Sequence, residues 1–453
     1  DQPELIETLA NELARHYEES KQWLKAAEWL LVSGKRAYRL SAVDEAIEAF
    51  AKGVTLLGNC SDTVERHRLE VQLLNEQGIA ATPRYGLANL MSETCYKRAA
   101  ELAVCLHDVS EQFRALRGLA LCYRVSRRYN EAMEIGATML RIAEVNGDLT
   151  MLMESHGTMG SVLHYVAQFG EANHHLALSC HYFELLSKQI DLEMRYYDSC
   201  VNYLCMWSML LWKIGYPDRA IKTVKAAHDL ACQYEHPHNI AFSLYFMAYA
   251  YYIRRDPQKV WEVLCDLKQL AVTNRLVTWQ TMPFTLQGYA LSELGEVEEG
   301  FTMLEPIFGE FRTYLMAWGP AIWVLNCLKR GDYQTGLAVI EEVLQYNEFT
   351  WLPELYRLKG KLLLAQAGEA SVQIITKVET CFQQAITIAQ KQEAKSWELR
   401  ATTSLAKLWQ QQAKYKDALD LLAPIYAWFT EGFDTYDLLK AKKLLQELEA
   451  QCR

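Results

Sequence analysis

One spacing recurs along most of this chain, with a period of about 40 residues. A small or β-branched residue marks each repeat, at Ala132, Ala172, Ala220, Val260, Gly300, Gly336, Val378 and Ala418. Most of these residues are preceded, twelve positions earlier, by another compact residue: Ala120, Gly160, Ser208, Ala248, Gly288, Val324 and Ala406. Three positions before the marker stand Tyr129, Phe169, Pro217, Pro257, Val297, Tyr333 and Tyr415. These constant offsets predict helical hairpins whose helices approach closely at small residues.

The scarcity of helix-breaking residues supports helix over nearly the whole chain. Only 10 prolines and 22 glycines occur among 453 residues, and residues that favour helices are abundant. Hairpins of this size cannot bury their apolar faces alone, so they stack on one another. We therefore expect an all-α solenoid of TPR-like hairpins, wound into a right-handed superhelix with a concave face. A closed α/α toroid, as found in some enzymes, is the alternative.

The regularity of the pattern divides the chain into three parts. Residues 1–105 are predicted to form irregular N-terminal helical repeats, residues 106–435 regular repeats, and residues 436–453 a capping helix. Two segments interrupt the pattern: "GIAATPRYGLANL" predicts a loop, and "AGEASVQIITK" predicts an insertion in the loop of one hairpin.

Charge and cysteine content exclude several functional classes. The net charge of −10 and pI near 5.7 argue against nucleic-acid binding and against an anionic membrane surface. No apolar run approaches the ~20 residues that a membrane-spanning helix needs. The twelve cysteines contain no CxxC pair, which is typical of reduced thiols in a cytoplasmic protein.

An aromatic stripe is the main candidate for a binding site. Tyr245, Tyr249 and Tyr252 follow one another at i, i+4 and i+7, on one face of a predicted helix. Neighbouring hairpins contribute further aromatic residues, namely Trp212, Tyr289 and Trp318. If these residues line the concave groove, they would suit a peptide or an amphipathic ligand. The competing interpretation is that they form the core between repeats.

Other polar groups give weaker signals. Arg114, Arg117 and Arg124 share one predicted helix face and could bind a phosphate or an acidic peptide, or be paired within the protein. The histidines and cysteine of "HHLALSCH" lack the spacing of a zinc site. We expect no metal, no cofactor and no catalytic residue, because no Ser-His-Asp arrangement, HExxH motif or pair of catalytic carboxylates stands out.

Two stretches carry a resemblance to a known family. "ELYRLKGKLLLAQAG", with the residues that follow it to Thr435, resembles the C-terminal end of bacterial STAND-type signalling ATPases, and "LWKIGYPDRAIKTVKAAHDL" is similar to their middle repeats. Members often carry an N-terminal nucleotide cyclase or protein kinase domain. The GxxxxGK[ST] loop that binds ATP is absent from this sequence, since Gly34-Lys35 and Gly360-Lys361 lack the required spacing.

The resemblance implies a sensor region rather than an enzyme. It implies that the repeats bind an unknown inducer, which can be a peptide, a protein or a small molecule, and that the inducer relieves autoinhibition of an ATPase domain upstream on the same polypeptide. A stand-alone TPR scaffold that joins two proteins is the alternative from another functional class.

Overall fold

The computed structural model describes residues 9–40, 42–86, 88–188, 194–310, 318–345, 349–368 and 372–452. These residues are helical apart from short turns and contain no β-strand. The chain forms two compact units, Asp1–Val162 and Leu163–Arg453.

The first unit is a succession of helices in which, from α1 to α7, each packs against the next. Its helices are α1 (Ala10–Glu19), α2 (Trp23–Arg39), α3 (Val43–Leu57), α4 (Val64–Tyr85), α5 (Leu90–Cys105), α6 (Val109–Val125), α7 (Tyr129–Asn146) and α8 (Leu149–Tyr165), the last of which ends just beyond the unit. Glycines sit where helices cross; a Cβ atom on Gly34 would lie 2.4 Å from the Phe50 ring. The small residue therefore sets the distance between α2 and α3.

The second unit is also built of helices that pack against one another. Its helices are α9 (Phe169–Ser187), α10 (Met194–Lys213), α11 (Pro217–Gln233), α12 (Pro237–Arg254), α13 (Pro257–Thr273), α14 (Val277–Thr281), α15 (Phe284–Leu294), α16 (Val297–Glu310), α17 (Trp318–Arg330), α18 (Tyr333–Val343), α19 (Leu352–Ala367), α20 (Val372–Lys391), α21 (Lys395–Gln411), α22 (Tyr415–Trp428) and α23 (Tyr436–Cys452). Three of them begin with proline, whose fixed φ suits the first helical position.

The predicted hairpins are present at the predicted positions. All seven residues that precede the repeat markers by three positions are the first residues of helices α7, α9, α11, α13, α16, α18 and α22. The markers themselves are buried. Ser208 Oγ donates a hydrogen bond of 2.8 Å to the Ala220 carbonyl oxygen, so the two compact residues of that hairpin meet at the helix crossing. The predicted fold class, an all-α solenoid of TPR-like hairpins, is confirmed.

Two local predictions hold only in part. The first part of "GIAATPRYGLANL" is helical, because helix α4 extends to Tyr85. The connection begins only at Gly86, whose φ is +86°. In "AGEASVQIITK", residues 372–377 belong to helix α20, so part of the insertion lengthens a helix. Residues 369–371 lie outside the described part of the chain. The division at residues 105 and 435 stays a prediction.

Candidate functional site

All six aromatic residues of the predicted groove lie inside the second unit, where side chains from several hairpins meet. Their side chains are buried, with exposed fractions from 1% for Tyr249 to 6% for Trp318. We call this set, together with Trp351 and Trp397, the aromatic interior. Trp212 comes from α10, the three tyrosines from α12, Tyr289 from α15, Trp318 from α17, Trp351 from the residue before α19, and Trp397 from α21. The first helices of successive hairpins therefore face a common interior.

The rings of the aromatic interior form a continuous chain of contacts. The Tyr249 ring lies 5.7 Å from that of Trp318, and the Tyr252 ring stacks on that of Trp351 at 6.2 Å. Trp351 in turn contacts Trp397 at 4.8 Å between ring centroids. In this structure the rings pack against one another, and their role in ligand binding stays a prediction.

One aromatic contact joins distant hairpins. Trp397 meets Trp212 edge-on at 4.7 Å, and Ser396 Oγ donates a hydrogen bond to the Trp212 carbonyl oxygen. Helix α21 of the last hairpin thereby touches the C-terminal end of α10. The second unit thus closes on itself through its interior.

Two polar atoms inside this interior lack partners. Tyr249 Oη and Trp397 Nε1 are fully buried and make no hydrogen bond. Burial raises the pKa of Tyr249 well above its ordinary value, so the hydroxyl keeps its proton. An unpaired buried polar group costs about 1–3 kcal/mol, which a hydrogen-bonding ligand or an opening of the unit would recover.

The loop between α22 and α23, residues 429–435, contacts the first turn of α11. We call it the docking loop. Glu431 Oε1 accepts hydrogen bonds of 2.9 Å from the backbone N–H groups of Asp218 and Arg219. These amides belong to the first turn of α11, where a helix has unpaired donors and a favourable dipole for an anion. Glu431 therefore caps a helix more than 200 residues away in the sequence.

Further polar contacts hold the docking loop. Arg254, the last residue of α12, makes two hydrogen bonds to the Asp434 carboxylate, at 2.7 and 2.8 Å. The Gly432 N–H donates to Asp218 Oδ2 at 2.9 Å. Several of these groups are exposed; the side chain of Asp434 is 76% exposed. The docking loop is thus held against α11 and α12 mainly by polar contacts at the surface.

Close to the docking loop lies a largely buried charge cluster, consisting of Arg255, Glu354, Arg357, Arg400 and Asp437; Arg255 is its most exposed member, at 23%. Glu354 receives two hydrogen bonds from Arg357, at 2.7 and 2.6 Å, and both side chains are 3% exposed. Arg400 donates to Asp437 at 2.6 Å and also to the Ile253 carbonyl oxygen. The cluster therefore joins α12, α19, α21 and α23.

The electrostatics of this cluster keep both carboxylates ionised. Burial by itself would raise the pKa of Glu354, but the guanidinium groups of Arg357, Arg400 and Arg255 outweigh it and lower this pKa to about 2. Burial likewise opposes ionisation of Asp437, and Arg255 and Arg400 lower its pKa below the ordinary value. The cluster consequently keeps both negative charges throughout the physiological pH range.

The predicted arginine face lies in the first unit, apart in sequence from the aromatic interior. Arg114 pairs with Glu76 at 2.9 Å, and Arg117 lies 3.8 Å from Glu154. Arg124 is the last basic residue of α6 and also has an interaction within the protein. A ligand role for these three residues stays a prediction, and the structure does not bring them together with the aromatic residues in one unit.

The sequence contained a signal for the charge cluster that our prediction missed. Glu354 and Arg400 each lie six positions before the compact residue of their hairpin, at Gly360 and Ala406. The preceding hairpin has Trp318 at the corresponding place, six positions before Val324. Opposite charges at an interior position of two consecutive hairpins indicate a buried ion pair; their atoms lie 3.7 Å apart.

Searches for metal and membrane sites give no candidate in the residues that the structure describes. No group of three or more His, Cys, Asp or Glu side chains among them could hold a metal ion. No described helix is both long and apolar enough to cross a membrane.

Comparison with known proteins gives only distant similarity. No protein-family model and no curated protein matches the sequence. Among solved structures, the chain is similar to the apo form of RapI, with 13% identity, a TM-score of 0.48, and coverage of 61% of this chain and 94% of that one. It is also similar to a Rap protein complexed with competence and sporulation factor, at 11% identity and a TM-score of 0.48, covering 94% and 99%. Yeast Tom70 has 12% identity and a TM-score of 0.44, covering 95% and 96%. At these scores the similarities do not bear on function.

Proposed function

We propose that this chain is the non-catalytic sensing module of a multidomain STAND-type ATPase, and that an inducer acts by opening its second unit. The observation that supports this proposal is the docking of the last hairpin onto the start of α11 through residues 429–435. A stack whose distant hairpins are joined by reversible contacts has a closed and an open arrangement. A ligand that binds the open arrangement more tightly shifts the population towards it.

The contacts that close the unit are of a strength that a ligand can overcome. The ion pairs Arg219–Glu431 and Arg254–Asp434 each have one partner that is more than half exposed, and such pairs contribute about 0–1 kcal/mol. The Trp212–Trp397 contact adds roughly 0.5–1.5 kcal/mol beyond its area burial. A differential affinity of about 100-fold, equal to about 2.7 kcal/mol, offsets these ion pairs and this ring contact. The pairing of Arg255 with Asp437 and Glu354 adds to what the ligand must overcome.

The chemistry of the aromatic interior indicates what the inducer offers. Opening exposes the ring faces of Tyr245, Tyr249 and Trp318, which suit apolar or aromatic groups. It also exposes Tyr249 Oη and Trp397 Nε1, which have no partner in the closed arrangement. Because indole N–H is only a donor, the inducer needs a hydrogen-bond acceptor beside an apolar surface. A peptide segment of a partner protein meets both requirements.

The proposal is tested by finding a ligand and measuring whether its affinity depends on closure. Native mass spectrometry of the purified chain identifies a co-purified ligand, and calorimetry then compares wild type with Gly432→Ala, which weakens the docking loop. We expect the variant to bind roughly tenfold more tightly, because less of the binding energy is used to open the unit. Equal affinity for both proteins would contradict opening and would favour a stand-alone scaffold that binds on its outer surface.

The ATPase context has a separate test. We expect the coding sequence upstream of Asp1 to encode a P-loop ATPase domain on the same polypeptide. In that parent protein, Gly432→Ala should raise ATP hydrolysis in the absence of inducer. A parent without a P-loop domain would exclude the ATPase part of the proposal and leave the scaffold function.

A further inference from the structure

A small pocket opens onto the charge cluster, and its walls carry more positive than negative charge. Arg255, Arg357, Arg400 and Lys440 line it together with Asp437 and the hydroxyl groups of Thr403 and Ser404. Glu354, the second carboxylate of the cluster, lies behind this wall and is bound to Arg357. Four cationic side chains thus face two carboxylates.

The excess positive charge affects the groups around the pocket. The Arg357 charge, together with burial and the charge of Arg255, lowers the pKa of Lys361 well below its ordinary value. Burial and then Arg255 lower the pKa of Arg400. Since buried charges in proteins are ordinarily compensated by partners, this arrangement lacks negative charge.

Two of the cationic side chains that line the pocket, Arg255 and Lys440, have N–H groups available for a ligand. The closest carboxylate oxygens to the Arg255 guanidinium belong to Asp437 at 3.5 Å and Glu354 at 4.0 Å, longer than the 2.7–2.9 Å of a strong charge-assisted hydrogen bond. Lys440 forms no ion pair among the described residues, and its ammonium lies 5.9 Å from the centre of the Tyr436 ring. A third donor is the terminal nitrogen Nη1 of Arg400, which lies 3.7 Å from Glu354. The other two nitrogens of Arg400 bind Asp437 and the Ile253 carbonyl oxygen.

The size of the pocket limits what it accepts. Its inner space measures only about 10 Å³, room for roughly one water-sized group such as a single oxygen of a ligand, whereas sites for drug-sized ligands begin at about 300 Å³. There is room for one small group at the inner end. Planar guanidinium forks match the oxygens of carboxylates and phosphates.

We infer that this pocket binds an oxyanion, a phosphate or carboxylate group, between Arg255, Arg400 and Lys440. The anion supplies the missing negative charge and joins the end of α12 to α21 and α23. Because α12 meets α21 and α23 only when the unit is closed, the anion stabilises the closed arrangement. This inference goes beyond the proposed sensor function. Anion binding does not depend on that function, since it can be measured without an inducer or an ATPase, and only the effect on closure rests on it.

The test uses the full chain and simple salts at constant ionic strength. Sodium phosphate, sodium sulfate and sodium malonate are titrated against a sodium chloride reference, while the melting temperature and the heat of binding are recorded. We expect a saturable rise of about 3 °C or more with the preferred anion. The phosphate and malonate arms distinguish a phosphate group from a carboxylate group.

Variants on α23 locate the site. Lys440→Glu places a negative charge at the pocket mouth, and we expect it to weaken anion binding by at least about tenfold. Lys440→Gln should weaken binding less and Lys440→Arg should preserve it. Lys442→Glu is the matched control, because it makes the same charge change two positions along the same helix, at an exposed residue that does not line the pocket.

Two results would overturn the inference. One is an absence of any saturable shift with phosphate, sulfate or malonate. The other is a shift that Lys440→Glu and Lys442→Glu reduce equally, because this would indicate a general charge effect. Since Lys440 and Lys442 are both exposed, their variants are expected to fold like the wild type.

Discussion

Gly432 packs so closely on Pro217 that a Cβ atom at residue 432 would lie 2.2 Å from Pro217 Cγ. Its φ of +75° also belongs to the left-handed region, which residues with a side chain rarely adopt. These two residues are 215 positions apart in the sequence. The contact places the docking loop on the first turn of α11, and it tolerates no side chain at position 432.

Gly432→Ala should therefore release the docking loop. We expect faster hydrogen exchange at the amides of Asp218 and Arg219, which Glu431 protects in the closed arrangement. Gly147→Ala is the control, because Gly147 has a similar φ of +63° but nothing within 4 Å of its Cβ position. Both variants lose about 1 kcal/mol through backbone strain, and only Gly432→Ala should change exchange at α11. Unchanged exchange at those two amides would show that the loop does not hold the unit closed.

Tyr249→Phe removes a buried hydroxyl that has no partner. We expect the free energy of unfolding to rise by about 1 kcal/mol, because the desolvation cost disappears while the ring packing stays. If the hydroxyl serves a ligand, the more stable variant should bind it more weakly. Tyr289→Phe is the control: its side chain is similarly buried, at 3%, but its hydroxyl is not one of the fully buried atoms that lack a partner, so we expect little gain in stability. Denaturant unfolding of both variants provides the measurement, and destabilisation by Tyr249→Phe would mean that the hydroxyl has a partner.

Lowering the pH should reduce the stability of the second unit, because Glu354 becomes protonated. Because its pKa is lowered to about 2 in the folded chain, against about 4.3 when unfolded, its stabilising effect is complete above the unfolded pKa. This contribution, about 3 kcal/mol at most, is lost as pH falls from about 5 to about 2. Glu354→Gln should lower stability at neutral pH and flatten the dependence on pH in that window. An identical acid slope in both proteins would assign the effect to other carboxylates.

Lys361 should destabilise the folded chain, in contrast to Glu354. Its pKa is lowered in the folded chain, so the unfolded chain binds the proton more strongly and stability rises with pH between the folded and unfolded pKa values. We expect Lys361→Met to be more stable than wild type near pH 7, by about 1 kcal/mol, and to lose this dependence. Lys359→Met on the same helix is the control, because Lys359 pairs with Glu341 at 2.6 Å and its replacement should be neutral or mildly destabilising. A less stable Lys361→Met would show that the lysine is compensated.

The hairpin frame was predictable because its determinants are local. Pro217 and Pro257 start helices α11 and α13, since proline suits a first helical turn wherever it occurs. Gly288 and Gly300 meet at a crossing within one hairpin, where a Cβ atom on Gly300 would lie 2.5 Å from the Gly288 carbonyl oxygen. The predictions fail at residues 78–85 and 372–377 because tertiary packing of α4 and α20 outweighs weak local signals for a loop.

Sequence alone established the period, the helix starts and the small residues at the crossings, which depend on neighbours within about 40 positions. Tertiary structure decided which residues meet across the stack: Trp212 with Trp397, Glu431 with the start of α11, and Arg255 with Asp437. The reason is that each hairpin turns only slightly relative to the next, and these small rotations add up along the second unit. A contact between residues roughly 180 or more positions apart therefore depends on the sum of many packing angles, which no single stretch of sequence encodes.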